Sequence, residues 1–490
     1  MRRAAALVVI VGTLAGCAST GDFVTSVKNA GQAMFESPGD RQTIISGVKA
    51  GRYEASSLAV GEEKDLARQR GEALGFVSVA PLDAYLGRVR ARLAAASGVE
   101  AIPGRVVLLA NPAFAAYSTP DGNIYLAMGW LPYIQSEDEL AAIIAHELSH
   151  VVLTHHSTDL VAGFQKRAQA AHEFGVSAKM AVANRPATKD DQKSLLGSEV
   201  LASVSDKVVM PAWGRRQESE ADLLGVDLLV KAGYSPVAMA TMLEKYQAWE
   251  KQTTEDDEAF RARVGEVIQK DYTEAAKMVF NRMVETLSAS HPETGQRLSS
   301  VAGYLDRHYS DLALPEPRTK GWSEVRAVPE VREITRHYDL AFSARKLLER
   351  GKVRDAYAYA KDSASGRTAS HAYPNWILAK TAMEVGRGNE AVTALDRAIK
   401  ANEPVREVYD EMIMVNERRG NLKAALEWTD KASTTFGEAA RWTPTKIRLL
   451  RKVGRVQEAS TLTLKCTFDT PEWRKLCQEA NQTPPGATTR

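Results

Sequence analysis

Charge of neither sign is in excess in this chain: 63 Lys and Arg against 61 Asp and Glu leave a net charge of +2 over 490 residues. Composition therefore gives no argument for nucleic acid or an anionic surface as a ligand. After residue 16 there is no hydrophobic run long enough to cross a bilayer as a helix, which excludes a helical membrane span in the rest of the chain. Cysteine is scarce, at positions 17, 466 and 477. Histidine is scarce as well, nine in all, so a cluster of it carries information. A chain of this length suits two or three domains.

What is present is concentrated at His146-Glu147-Leu148-Ser149-His150. The stretch from Ser136 to about His155 reads as one helix. Ser136-x-x-Glu139 is a capping box at its start, and Leu140, Ile143, Ile144, Leu148, Val151 and Val152 form a broad apolar face. Residues i and i+4 of a helix share a face, so His146 and His150 can offer two imidazoles to one metal ion, with Glu147 placed as general base. A third ligand is needed. His156 stands ten residues after His146, but the intervening turn position is Leu153 rather than Gly, so a continuing helix carries His156 off the ligand face. A carboxylate from the helix that runs from Arg215 to about Ala232 is the better candidate. Spacing alone leaves both Glu218 and Glu220 open. Asp222, one turn beyond Glu218, can accept a hydrogen bond from a ligand histidine.

HExxH on one helix and Glu218-x-x-x-Asp222 on another resemble the HtpX/Ste-type gluzincin metallopeptidases, in particular their bacterial periplasmic branch. The resemblance implies Glu218 as ligand, Glu220 in a variable slot and one Zn2+ per chain. It covers roughly 51–309. Tyr117 to Tyr125 resembles the strand region before the family's active-site helix, departing from it at Ala115, where Asn is expected. His291-Pro292 and Arg297 resemble its His-Pro…Arg motif. In that branch the histidine can approach the zinc, so His291 is expected to restrain catalysis or to assist it. Substrate is expected to lie extended along the strand Asn123 to Ala127.

Arg2, Arg3 and the short apolar stretch 4–16 read as a signal peptide. Its end, Leu14-Ala15-Gly16-Cys17, looks like a lipoprotein processing box, which implies a lipidated Cys17. That leaves Cys466 and Cys477. An oxidising compartment favours a disulfide between them, while the small-residue slot at 466 also suits a buried thiol.

Toward the C-terminus, Gly351, Gly386, Gly420 and Gly454 recur at 35, 34 and 34 residues, each followed five residues later by Ala. Ser363, Ala398, Ala432 and Cys466 keep the same phase, which is the tetratricopeptide pattern. Trp376, Trp428 and Trp442 fall at repeat spacings and read as packing residues; His155 reads as a surface residue of a polar helix.

The expected fold is mainly α: an α+β, zincin-like peptidase domain with a small sheet, then an α-solenoid. Its parts are a lipoprotein signal peptide (1–16), a tether (17–50), the peptidase (51–310), a linker (311–330), the repeats (331–466) and a tail (467–490). Between the two zinc-binding helices, 168–211 reads as a shield or lid over the cleft. The expected protein is a zinc endopeptidase, lipid-anchored at the outer membrane and facing the periplasm. Its role would be quality control of unfolded or misfolded envelope proteins, with the repeats docking on outer-membrane assembly machinery. The alternative is a chaperone or scaffold that acts through the repeats with a silent peptidase.

Overall fold

The computed structural model describes residues 42–72, 75–157, 215–250, 294–401, 405–437, 439–470 and 473–484. Cys17 and the 1–16 segment, the 168–211 insert and His291 lie outside these residues. Residues from Ile44 onward form one compact unit, mostly helical with a small sheet.

The strands are β1 (Gly51–Arg52), β2 (Phe76–Val77), β3 (Val99–Glu100), β4 (Val106–Leu109), β5 (Ala116–Ser118) and β6 (Ile124–Ala127). β1 and β3 form a parallel pair, and the other four run in the order β2-β4-β6-β5. β6 pairs parallel with β4 and antiparallel with β5. Its four residues, Ile-Tyr-Leu-Ala, are all buried, as an unbroken apolar run on a central strand requires. The helix α1 (Glu62–Glu72) is fixed to this sheet by one buried carboxylate. Asp65 Oδ2 accepts from Thr119 Oγ1 (2.7 Å), Asn123 Nδ2 (2.8 Å) and the Tyr125 hydroxyl (2.8 Å). Three donors offset the cost of burying the charge.

Behind the sheet lie α2 (Ala80–Ser97), α3 (Glu137–Val152), α4 (Arg215–Lys231), α5 (237–250) and α6 (Thr294–Tyr309). α3 starts where the capping residues place it: Ser136 Oγ accepts the Glu139 N–H, and Glu139 reaches back to the Gln135 N–H. Leu140, Ile144 and Leu148 are fully buried, and truncating any of them to Ala should cost about 2–5 kcal/mol. Two acids at its N-terminus tie α3 to its neighbours. Glu137 accepts from the Tyr85 and Tyr234 hydroxyls, and Asp138 from the backbone N–H groups of Ser235 and Arg318.

Residues 311–330 are not a free linker. Within them α7 (Thr319–Ala327) buries Trp322, whose indole packs on Tyr85 and donates to the Ile134 carbonyl at 2.8 Å. The apolar core therefore continues from the α2–α3 region through Trp322 and Val325 into the helices that follow. The end of the expected tether is packed too: Ile45 is buried and its N–H donates to Asp227 at 2.8 Å.

Helix pairs follow at the period read from the sequence: α8 (Pro329–Glu349) with α9 (Val353–Ser363), α10 (Ala372–Glu384) with α11 (Gly388–Ile399), α12 (Arg406–Arg418) with α13 (Leu422–Phe436), and α14 (Ala439–Lys452) with α15 (Val456–Asp469). Gly351, Gly386, Gly420 and Gly454 end the first helix of each pair in the left-handed region, φ 73° to 81°, where a side chain would be strained. Ala356, Ala391, Ala425 and Ala459 are fully buried where the paired helices touch. Trp376 and Trp442 are buried and Trp428 packs against the core, all as packing residues.

The expected tail is also built into the fold. Residues 467–469 complete α15, and α16 (Arg474–Ala480) covers the last pair with Leu476 and Cys477, as does Trp473 just before it. Cys466 and Cys477 are joined by a disulfide, eleven residues apart. Closing so short a loop contributes about 3 kcal/mol in the chain-entropy account. Cys477→Ser should lower the denaturant stability of the repeat end by about that amount. Unchanged stability, or free thiols on both cysteines in non-reducing mass spectrometry, would contradict the bond.

Candidate active site

The site forms where α3 crosses α4. At the crossing α4 presents Gly225: a Cβ there would meet the flexible end of Met239 and lie 3.4 Å from the His146 backbone nitrogen, an ordinary contact. α4 brings Glu218 and Asp222 up to the histidines of α3, all of them buried.

His146 Nε2 and His150 Nε2 are 3.2 Å apart, and each is 3.6 Å from an oxygen of Glu218. Among the described residues this is the group whose donor atoms could hold a metal. Hydrogen-bonded pairs usually close to about 2.9 Å. Around a tetrahedral ion with arms of about 2.1 Å, ligand atoms sit roughly 3.4 Å from one another. The three separations straddle that value, so two nitrogens and one carboxylate fit a first-row divalent ion such as zinc.

The surrounding groups set the ligands. His146 Nδ1 lies 2.9 Å from Asp222 Oδ1, which fixes that nitrogen as donor and leaves Nε2 as lone pair. Asp222 is therefore placed to orient His146. It is locked in turn by Arg297, whose Nε and Nη2 donate to its two oxygens, both at 2.7 Å, while Nη1 lies 2.9 Å from Glu218 Oε2. Burial opposes ionisation of Asp222, but the Arg297 guanidinium and the His146 hydrogen bond hold its carboxyl well below the usual carboxylate range. Arg297 itself is disfavoured by burial and restored by Asp222 and Glu218, so it stays charged. Sequence reasoning placed Arg297 in a motif without giving it this role. The usable signal was two acids one helical turn apart on a buried face, which need a cation.

Glu147 is buried and, with His146, lines a small cavity that has room for roughly one water-sized group. Phe114, Trp130, Ile143 and Tyr246 make its apolar walls, and Arg297 also reaches it. A carboxylate in such surroundings is suited to taking a proton from a confined water.

Three expectations are corrected here. α3 does not run on to His155: it stops at Val152, Thr154 takes φ 53°, and 155–157 form a 3-10 turn. That turn keeps His156 away from the ligands, with its Nε2 3.5 Å from Ser118 Oγ. His155 is not a surface residue but is buried against His150. β6 cannot take an added substrate strand, because both of its edges are already paired. The edge strand of this sheet on the α3 side is β5.

Two histidines and a glutamate around one point, with a second carboxylate beside them, form a candidate metal centre. Residues 81–305, from α2 into α6, match the model of peptidase family M48. Relatives include the mitochondrial metalloendopeptidase OMA1 of Schizosaccharomyces pombe, 29% identical over 40% of this chain and 52% of its own length. The beta-barrel assembly-enhancing protease of Escherichia coli is 27% identical over 40% of this chain and 39% of its own length. The metalloprotease LoiP of the same organism is 27% identical over 41% of this chain and 75% of its own length. The chain thus spans about half or less of the first two relatives.

Burial pushes the His156 imidazole down to about 4. In the unfolded chain it titrates near 6.5. The neutral side chain therefore favours folding fully above about pH 6.5, and that advantage is lost as pH falls toward 4. Wild type should lose up to about 3 kcal/mol more stability than His156→Gln between pH 7 and pH 4, measured by denaturant unfolding. Parallel losses in the two proteins would show that His156 does not carry this term.

Proposed function

We propose that the chain is a zinc-dependent endopeptidase of the bacterial envelope that cuts unfolded or misfolded envelope proteins. The observation that carries this reading is the spacing of His146, His150 and Glu218 with Glu147 alongside. His146, His150 and Glu218 would hold the ion. When bound, zinc supplies Lewis-acid polarisation of the scissile carbonyl and acidifies water. Glu147 accepts the proton of the attacking water and delivers it to the leaving amine. Asp222 and Arg297 keep the ligand atoms in place as charge develops.

The envelope location is supported by similarity to a protein named for beta-barrel assembly and by the Leu14-Ala15-Gly16-Cys17 box. Cys17 would carry the lipid that holds the enzyme at the outer membrane, facing the periplasm. No helix among the described residues is long and apolar enough to cross a membrane. The four helix pairs with glycines at a 34- or 35-residue period support a tetratricopeptide solenoid, a surface suited to docking on assembly machinery. Substrate in extended form would pair with the edge strand β5, a mode that selects unfolded segments.

Glu147→Gln keeps the ligand set and removes the base. It should retain zinc while cleavage of unfolded casein falls by about 10²–10⁴. Casein cleavage at the wild-type rate would overturn the assignment of Glu147. A variant without proteolysis that still supports envelope protein assembly would favour a chaperone or scaffold acting through the repeats.

A further inference from the structure

The two ligand histidines are oriented by different means. His146 leans on a buried carboxylate, Asp222, at 2.9 Å. His150 leans on another histidine: its Nδ1 lies 2.9 Å from His155 Nδ1. His155 Nε2 in turn lies 3.4 Å from Glu220 Oε2, and Glu220 Oε1 accepts from Arg216 at 2.8 Å. Gln217 of α4 donates to the His155 carbonyl at 3.3 Å, so the backbone of that turn is held as well.

We propose that His155 is the positioning residue for His150, acting as a relay between this metal-binding histidine and the carboxylate of Glu220. The proposal rests on reading His146, His150 and Glu218 as a metal site. The proton assignments then follow in one direction. His150 must turn an unprotonated Nε2 toward its fellow ligands, so its Nδ1 carries the hydrogen and donates it. His155 Nδ1 is then the acceptor and must be bare. A neutral imidazole has one N–H, so the hydrogen of His155 sits on Nε2 and points at Glu220. Each group in the series donates to the next, and the series ends on a carboxylate.

The chain bends to make this contact. Thr154 is β-branched and holds φ 53°, a conformation such residues rarely take, at a cost on the order of 1–3 kcal/mol. An α-helix continued through 153–155 would carry His155 away from His150, since residues five apart lie about 140° apart around the axis. The strained residue is the one that ends the helix and turns His155 back. Glu220 also finds a purpose here: it lies two residues from Glu218 on α4, is not within the ligand group, and receives His155 instead.

The experiment measures zinc affinity of the full-length protein by chelator competition, beside the folded-state circular dichroism of each metal-free variant. His155→Ala should weaken zinc binding by roughly 10- to 100-fold with the fold retained. His155→Asn offers an amide oxygen where Nδ1 stood and should recover most of that loss; Glu220→Gln should show a smaller loss than His155→Ala. In zinc-loaded wild type, nitrogen-15 shifts should show His150 protonated at Nδ1 and His155 at Nε2. Zinc affinity of folded His155→Ala within about twofold of wild type would overturn the relay. So would no rescue by Asn, or the opposite tautomer at His150. If His155→Ala does not fold, the tautomers of wild type and the Glu220→Gln affinity decide. If wild type itself binds no zinc, the metal-site reading fails and the relay falls with it.

Discussion

One guanidinium holds the site together. Glu218 and Asp222 stand one turn apart on α4, both removed from water, and two unbalanced anions there would cost several kcal/mol each. Arg297 lies between them and reaches both, leaving a single net negative charge on the trio for a cation to balance. Because Arg297 belongs to α6, the metal-binding residues of α3 and α4 depend on a third helix being docked. α6 meets α4 in step along its length: Arg297 takes Glu218 and Asp222, and further on the Tyr304 and Tyr309 hydroxyls take Asp227. Asp227 also receives the Ile45 N–H, so the start of the compact unit is tied to the same helix.

The remaining constraints act on α3. Its N-terminal acids are held by Tyr85, Tyr234, Ser235 and Arg318, and its middle packs on α4 beside Gly225. Its C-terminal end is turned by Thr154 so that His150 gains a partner. The catalytic segment is thereby fixed at both ends and along one face, which suits a site whose donor atoms must keep their separations to a few tenths of an ångström. Glu147 shares that rigidity while opening on the cavity walled by Phe114, Trp130 and Tyr246.

Local patterns were legible and long-range partnerships were not. The Ser136 cap and the His146/His150 pair depend on residues within a turn or two, and Gly351, Gly386, Gly420 and Gly454 recur at a near-constant period, so spacing exposes them. The buried run Ile124 to Ala127 carries the mark of a central strand, apolar on both faces, which is at odds with a free edge for substrate. Arg297 lies 75 residues beyond Asp222, and no local rule pairs them. His155 was misread because nothing in Leu153-Thr154 announces a left-handed residue; tertiary packing overrides the preference of Thr. Trp322 and Cys477 show the same lesson at domain edges, where side chains within the expected linker and tail join the core.

The most direct test of this account is the unfolding free energy of metal-free Arg297→Met at pH 7. The account predicts a loss of about 3–5 kcal/mol, because two buried carboxylates lose the guanidinium that bridges them. Added zinc should recover part of that loss, and so should acid that protonates the carboxylates. A metal-free variant as stable as wild type at pH 7 would contradict it.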